Sequence, residues 1–292
     1  MRGEFILDLS FADNWMDDLK KMNEGKRGSP FLFPDSFMRW LIIWHQMVDF
    51  RSLEGISRVL SKEGIIPYSI DYSTICYRIH NMKPGISMPK FKELELATDG
   101  TGLKTSNGGG YRIFRYGDPD AKMKKHVVVV ITADVKNKKL IGIEAHIEGP
   151  DKSEADVAEE HLKSAKSKGY NVTKFYGDVA FDTNRLFETL HVMGVDPVIK
   201  IRKNVAPENI GGSKWRRKEA REYKNKGYKD WAKEKGYGMR WPGTEGIFSA
   251  VKRKYGENCV SKSVKSLEAE GFQRFRVYNE MKSYGESKVK HM

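Results

Sequence analysis

The chain has few of the residue patterns on which common small-molecule enzymes depend. Its 292 residues include two cysteines, Cys76 and Cys259, which are too few for a disulfide framework or a cysteine-based zinc module. The seven histidines form no HxxxH pair, and neither a GxSxG motif nor a phosphate-loop motif occurs. These absences exclude the usual zinc hydrolases, serine hydrolases and phosphate-loop nucleotidases.

Long apolar runs are also missing. The most apolar segment, residues 37–48, is shorter than the roughly 18 residues of a membrane-spanning helix, and it contains Arg39 and His45. The N-terminal residues lack the apolar core and the cleavage site of a signal peptide. With a mean hydropathy of -0.61, the sequence predicts a soluble, cytoplasmic protein that does not associate with membranes.

Positive charge is abundant and unevenly distributed. The 52 Lys and Arg residues outnumber the 39 Asp and Glu residues, which gives a formal charge of +13. Residues 200–240 alone hold 14 basic and 5 acidic side chains, a net charge of +9, and aromatic residues are interleaved with them. Such a tract favours a nucleic-acid surface, because aromatic rings stack on bases. A solvated basic face is the alternative.

The first 88 residues are predicted to form a helical DNA-binding domain. Residues 52–64 have apolar side chains at helical spacing, with Ser52 as the expected N-cap. A break follows, and a second helix is expected to start at Asp71 or Ser73. This order is typical of a helix-turn-helix, in which Thr74 and Arg78 would face outward towards DNA. An ordinary helical hairpin has the same pattern.

Residues 89–292 are predicted to form an α/β domain built on a mixed sheet. After a linker at 81–90, the periodicity changes to that of strands and helices in the order β-β-β-α-β-α-β. Three leading strands indicate a mixed sheet and not a doubly wound parallel one. The expected strands are 93–104, 125–135, 139–149, 171–178 and 196–201, and the expected helices are 153–169 and 182–194, the second with Asp182 as its cap.

The polar tract 203–239 interrupts this domain. Its helical pattern is weak and it contains five glycines, so it is interpreted as a basic insertion or a long flexible arm. A helix at 244–256 is predicted to follow it, with Thr244 as N-cap. Residues 260–292 are expected to be helical or partly disordered. The glycine-containing segment 106–112 is interpreted as a turn.

Three acidic residues occupy positions where a metal site could form. Asp99 lies at the end of the first strand, Asp178 closes the fourth strand, and Glu245 lies in the first turn of the helix after the insertion. Converging carboxylates repel one another unless a hard divalent cation neutralises them. Taken singly, each could instead cap a turn or complement a helix dipole.

The helix that starts near Glu245 adds two candidate phosphate ligands. At 100° per residue, Glu245, Ser249 and Lys252 lie within an arc of about 60°. Lys252 therefore points the same way as the acidic residue and could meet a phosphate. Arg253 follows it, and a solvated basic face is the alternative for both.

The segments that carry these acids resemble a known family. ATDGTGLK, YGDVAFDTNRLF and YGMRWPGTEGIFSAVKRKYG resemble the three acidic motifs of the DDE transposases of the IS4/IS5 insertion-sequence group. RSLEGISRVL and DYSTICYRI are similar to the DNA-binding region of IS5-type enzymes. In that family a Tyr, an Arg and a Lys accompany the Glu. Here Tyr237, Arg240 and Lys252 match, with four residues instead of three between Arg240 and Glu245.

The resemblance implies a fold, a site and a function. It implies an RNase H-like fold, a triad of Asp99, Asp178 and Glu245 holding two Mg²⁺ or Mn²⁺ ions, and a homodimer on double-stranded DNA in the prokaryotic nucleoid. The enzyme would cleave at terminal inverted repeats and transfer the strand into target DNA. The residues expected to hold phosphates there are Lys252, Arg253, Arg240, Tyr237, Lys200 and Arg202. A domesticated DNA-binding regulator and an RNase H-like nuclease are the alternatives.

Overall fold

The computed structural model describes residues 2–82, 85–105, 126–149, 152–205 and 212–289. The segment 106–112, interpreted above as a turn, lies outside these residues. Contacts divide the chain into two units: Met1–Gly85 together with Ser263–Met292, and Ile86–Lys262. The last helix thus belongs to the first unit, whereas the sequence placed it in the sheet domain.

The helices and strands of the described residues follow the predicted order. The helices are α1 (Arg2–Ile6), α2 (Ser10–Asp13), α3 (Trp15–Asn23), α4 (Asp35–His45), α5 (Phe50–Lys62), α6 (Tyr72–Asn81), α7 (Glu154–Ser167), α8 (Asn184–Met193), α9 (Lys214–Lys235), α10 (Arg240–Gly243), α11 (Glu245–Tyr255) and α12 (Val264–Val289). The strands are β1 (Glu93–Thr105), β2 (His126–Asp134), β3 (Lys139–Ile147), β4 (Asn171–Gly177), β5 (Asp196–Ile199) and β6 (Asn258–Cys259). In the described residues, no helix is both long enough and apolar enough to cross a membrane.

The first unit is a helical assembly with an aromatic core. Phe37 on α4 packs against Phe11 and Trp15, with ring centroids 5.1 and 5.2 Å away. The side chain of Asp71 caps α6 by accepting hydrogen bonds from the backbone N–H groups of residues 73 and 74. Helix α5 begins two residues before the expected cap, because the Asp49 side chain accepts from the backbone of Ser52.

The second unit contains the mixed sheet. Its strand order is β3-β2-β1-β4-β5, and β6 pairs with the far end of β1. The pairs β1–β2 and β2–β3 are antiparallel, whereas β1–β4 and β4–β5 are parallel. The predicted class is therefore confirmed: an RNase H-like mixed sheet with flanking helices, preceded by a helical region.

Each face of the sheet is covered by its own helices. Leu94 and Leu96 of β1 pack in a core with α7 and α8, whereas Ala97 packs on the other face with Trp231 of α9. Side chains alternate along a strand, so Asp99 lies on the same face as Ala97. The side chain of Asp99 therefore faces α9–α11.

Helix α9 corrects the interpretation of 203–239 as a flexible arm. The helix bends sharply at Gly227, whose φ of +73° is left-handed. Lys226 bonds to Glu234 across the bend, and Lys235 contacts Glu219. Trp231 is buried against the sheet. Few apolar side chains make this contact, and the bend interrupts their spacing, which is why the helical pattern of this segment is weak.

Candidate active site

Two of the three predicted acids come from neighbouring parallel strands. Ala97 of β1 pairs with Tyr176 of β4, and two residues further along the respective strands lie Asp99 and Asp178. Strand β4 ends at Gly177, after which Asp178 caps the short 3-10 helix Val179–Phe181, its Oδ1 accepting from the Ala180 N–H at 2.8 Å. The two carboxylates therefore lie where β4 ends and separates from β1. Asp99 itself is within β1, which continues to Thr105, and not at the strand end that the sequence predicted.

Asp99 is held by several donors. Its Oδ2 accepts from Arg240 Nη1 at 3.1 Å, and the Thr244 hydroxyl lies 3.2 Å from the same oxygen. Its Oδ1 accepts from the Gly100 N–H at 3.0 Å. Burial raises the pKa of Asp99, the Arg240 guanidinium opposes that effect, and the charge of Asp178 adds to it.

Glu245 lies on the other side of Arg240. It is the first residue of α11, its side chain is 60% exposed, and its Oε1 is 4.0 Å from Arg240 Nη2. Arg240 is only 8% exposed, and its Nε has no hydrogen-bond partner among the described residues. A buried guanidinium thus lies between the Asp99 and Glu245 carboxylates.

The extra residue between Arg240 and Glu245 coincides with a break in the helix. Helix α10 ends at Gly243, and Thr244 has φ and ψ of -119° and -66° before α11 begins. Thr244 is the N-cap position, as predicted, but its side chain makes no capping bond and lies instead beside Asp99 and the Arg240 carbonyl. The break fits Gly243 closely to the sheet, where a Cβ would lie 2.9 Å from Val135 Cγ1.

The donor chemistry suits a divalent cation, although no cage is preformed. Within the described residues, no group of three or more His, Cys, Asp or Glu side chains is arranged to hold a metal ion. Asp99 and Asp178 nevertheless offer carboxylate oxygens at one edge, which Mg²⁺ prefers. Arg240 supplies the positive charge at Asp99 in this arrangement, so a cation would compete with it there.

Glu154 is a nearby acid that the sequence analysis missed. It is the first residue of α7, and burial raises its pKa, as do the charges of Asp99 and Asp178. In the sequence it follows Ser153, whose side chain caps α7, so it resembled an ordinary first-turn acid. One signal in the sequence was the glycine at position 100, directly after Asp99, because the missing side chain leaves space for the Glu154 carboxylate.

The predicted phosphate ligands of the sheet unit occupy different environments. Lys252 is half-buried and Arg253 exposed on α11. The Lys200 ammonium lies 5.2 Å from the centroid of the Tyr228 ring, and Arg202 is exposed. Tyr237 is 2% exposed, and burial raises its pKa to about 12. Its ring is therefore part of the core between α9 and the sheet.

Asp182, predicted as the cap of α8, has another role. Thr183 is the N-cap, and its side chain accepts from the backbone of Leu186. The buried Asp182 carboxylate forms two bonds to Arg216, at 2.6 and 2.9 Å, and also accepts from the Arg202 N–H. This residue therefore connects α9 to the strand edge.

Thr74 and Arg78, the predicted DNA contacts of the helical unit, form hydrogen bonds within that unit. Arg78 Nη2 donates to Asp35 Oδ1 at 2.7 Å, and its side chain is largely buried. The Thr74 hydroxyl donates to Asp71 Oδ2 at 2.6 Å, next to the cap of α6. Tyr72 and Tyr77 are large exposed side chains on this helix. A role of Thr74 and Arg78 in binding DNA stays a prediction.

Family models match most of the chain. One, described as a transposase DDE domain, matches residues 90–279, and a second with the same description matches residues 1–108. No curated protein matches the sequence.

Solved structures give distant matches. The Drosophila P element transposase strand transfer complex matches at 16% identity and a TM-score of 0.31, covering 65% of this chain and 42% of that chain. The piggyBac transposase synaptic complex with hairpin DNA matches at 10% identity and a TM-score of 0.34, covering 97% of this chain and 75% of that chain. A pre-cleavage Mos1 transpososome matches at 8% identity and a TM-score of 0.25, covering 89% of this chain and 81% of that chain. All three TM-scores are low, so the family assignment depends on the family models alone.

Proposed function

Because the chain belongs to the transposase DDE domain family, we propose that it is a transposase of the IS4/IS5 type. It would cleave double-stranded DNA at the terminal inverted repeats of its element and join the 3′ ends to target DNA. The observation that carries this proposal is the placement of Asp99 and Asp178 at one strand edge, with Arg240 between Asp99 and Glu245.

Asp99, Asp178 and Glu245 would hold divalent cations, Mg²⁺ or Mn²⁺, and we propose two ions. Bound there, such ions would activate the attacking hydroxyl and stabilise the leaving oxygen of a phosphodiester. The carboxylate set supports this, since the burial of Asp99 beside Asp178 makes a counter-ion favourable.

The basic side chains of the sheet unit would bind and orient DNA. Arg240 can exchange Asp99 for a phosphate, because one guanidinium can form paired bonds with either group. Lys252 lies two turns after Glu245 on α11, so it would contact the same stretch of backbone. Lys200, Arg202 and Arg253 extend this surface. Tyr237 would act by supporting Arg240, whose guanidinium lies 5.5 Å from the Tyr237 ring centroid.

Recognition of the element ends would fall to the helical unit through α5 and α6. Their arrangement supports a helix-turn-helix, with Asp71 capping the second helix and Tyr77 exposed on it. Two copies of the chain would act together on paired ends in the prokaryotic nucleoid. The present chain covers only 42% of the length of the P element transposase chain. The activity, the DNA substrates and the dimer are therefore proposals for the present chain.

Asp178→Asn tests the proposed chemistry. The change keeps the size and the N-cap acceptor of the side chain but removes its charge. We expect binding to end DNA to be retained and Mg²⁺-dependent cleavage to fall at least 100-fold. Asp230→Asn, a change at an exposed position on α9, is the matched control. Wild-type levels of cleavage by Asp178→Asn would remove this residue from the site.

A strand-transfer assay with pre-cut ends separates the proposal from its alternatives. A transposase joins the pre-cut ends to target DNA, and an RNase H-like nuclease cleaves without joining. A domesticated regulator binds the ends and does neither. Joining by the wild-type chain that requires a divalent cation is the expected result.

A further inference from the structure

Glu154 approaches the proposed cation site at Asp99 and Asp178 from the face of the sheet opposite to α9–α11. Its helix, α7, packs in the same core as Leu94 and Leu96 of β1. At Gly100 the Glu154 side chain is so close that a Cβ would lie 2.7 Å from its carboxylate carbon. The absence of a side chain at Gly100 leaves space for the acid beside β1, immediately after Asp99.

A second close contact fixes α7 in this register. His161, two turns after Glu154 and on the same side of the helix, lies over Gly142, where a Cβ would be 2.5 Å from its Nδ1. That nitrogen is 2.8 Å from the Thr132 hydroxyl, which is 2.7 Å from the Thr98 hydroxyl in the strand of Asp99. Two glycines and a buried polar chain thus determine where Glu154 lies.

Among the described residues, Glu154 differs from the other acids of α7 in having no cation paired with it. Asp156 pairs with Arg185, Glu159 with Lys163, and Glu160 with Lys152. Within the described residues, Glu154 has neither an ion pair nor a hydrogen bond. Its electrostatic neighbours are the carboxylates of Asp99 and Asp178. A half-buried acid among like charges is costly unless a cation joins them.

We propose that Glu154 is a fourth carboxylate of the divalent-cation site, reaching it across Gly100 from the α7 face. This inference depends on the proposed metal-dependent function. It adds a ligand from a fourth element of the fold to those of β1, the end of β4 and α11. With Glu245 on the far side of Arg240, it also gives Asp99 and Asp178 an acidic neighbour that needs no movement of α11.

Binding of Mn²⁺ to the full chain without DNA tests the proposal. Electron paramagnetic resonance of free Mn²⁺ gives the affinity and the number of bound ions. We expect Glu154→Gln to weaken at least one Mn²⁺ site about tenfold or more, as loss of a metal-supporting group does. Glu160→Gln, an exposed acid on the same helix, should leave binding unchanged. Unchanged Mn²⁺ binding in Glu154→Gln would overturn the inference.

Gly100→Ala provides an independent variant. Its backbone is not left-handed, and the three atoms nearest to an alanine Cβ there all belong to the Glu154 carboxylate. It should displace the carboxylate and weaken Mn²⁺ binding as Glu154→Gln does. In a Glu154→Ala background, where nothing is left to displace, the same change should have little further effect. Equal effects of Gly100→Ala on Mn²⁺ binding in both backgrounds would contradict the proposed contact.

Asp178→Asn distinguishes failure of this inference from failure of the proposed function. If Asp178→Asn weakens Mn²⁺ binding and Glu154→Gln does not, only the role of Glu154 is refuted. If neither changes Mn²⁺ binding, the proposed metal site itself is refuted. Thermal unfolding in EDTA serves as the folding control, where Glu154→Gln should be at least as stable as the wild type.

Discussion

At the scale of single residues, the position of Arg240 is the main electrostatic feature of the site. Its guanidinium bonds to Asp99 and lies 4.0 Å from Glu245, while its own Nε lacks a partner in the described part of the chain. A buried cation whose hydrogen bonds are incomplete is held less firmly than one with a full set. Arg240 is therefore suited to leave Asp99 when a stronger partner for either group arrives.

Arg240→Gln should uncouple metal binding from DNA cleavage. Removing a positive charge next to Asp99 lowers the repulsion that a divalent cation meets there, so we expect Mn²⁺ to bind about tenfold more tightly. DNA cleavage should fall, because a phosphate ligand is lost. Electron paramagnetic resonance of free Mn²⁺ checks the expected increase in Mn²⁺ affinity. Arg253→Gln, on the exposed face of α11, is the control for this measurement. Weaker Mn²⁺ binding in Arg240→Gln would show that Arg240 supports the site instead of competing for it.

Sequence reasoning placed Asp99 and Asp178 at strand ends, where the hydrophobic pattern changes. This is correct for Asp178, which follows the last residue of β4, but Asp99 lies in the middle of β1, which continues to Thr105. Sequence reasoning could not find Glu154, since an acid after a Ser cap is ordinary in any helix. It also expected Tyr237 at a DNA surface, whereas the ring is buried between α9 and the sheet. Contacts of this kind link residues about 50 to 140 positions apart, and no local pattern encodes them.

At the scale of elements, the attachment of α7 to the sheet predicts a pH response. Burial lowers the pKa of His161 to about 4, below its ordinary value of 6.5. Between these two values the unfolded chain binds a proton that the folded chain does not, so stability falls as the pH decreases through this window. The loss amounts to about 3 kcal/mol when complete.

His161→Gln should flatten this dependence while keeping a polar group for Thr132. The free energy of unfolding, measured with urea at pH 7 and pH 4.5, should fall by less in the variant than in the wild type. Asp99 and Glu154 have raised pKa values and act in the opposite direction, but they are present in both proteins. Equal losses of stability in the two proteins would show that His161 is not the group responsible.

Helix α9 carries the second prediction at this scale. Lys214, Lys218 and Arg221 are exposed and lie within an arc of about 60°. Lys226 and Lys235, by contrast, form ion pairs with acids of the same helix. The exposed stripe is therefore a contiguous basic surface that DNA phosphates could reach.

Neutralising these three side chains to Gln should reduce the salt dependence of DNA binding. Each lost phosphate contact lowers the slope of log K against log salt by about 0.9, so a decrease of about 2 to 3 is expected. Neutralising Lys163 and Lys166 on α7, together with Lys168 directly after it, removes the same charge from the opposite face of the sheet and is the control. An unchanged slope in the α9 variant would mean that the stripe is only a solvated surface.

The elements themselves were largely predictable, and the exceptions have physical causes. Strands β1–β4 and helices α6, α7 and α11 lie within a few residues of their expected positions, because alternation, caps and glycine stops agreed there. Helix α9 was missed as a helix, since its order comes from Trp231 and from ion pairs across Gly227. These stabilise it without a continuous apolar stripe.

At the scale of the whole molecule, the helical unit is built from both ends of the chain. Helix α12 packs against α1, α4 and α6. Its buried side chains include Leu267, Phe275 and Val277, and Tyr284 packs against Phe5 with ring centroids 5.5 Å apart. The sequence did not reveal this arrangement, because a C-terminal helix carries no local sign of the domain it joins.

Deleting residues 263–292 should therefore affect the first unit and spare the second. Loss of α12 exposes apolar surface on α4 and α6, and burial of one large side chain alone contributes about 1.5–3 kcal/mol. We expect backbone amides of α4 and α6 to lose protection in hydrogen exchange, while those of β1, β2 and β4 keep it. Mn²⁺ binding should persist, since its proposed ligands lie outside the deleted segment. Retained protection in α4 and α6 would show that residues 1–88 fold independently, as the sequence alone had suggested, and that α12 is an accessory to that domain.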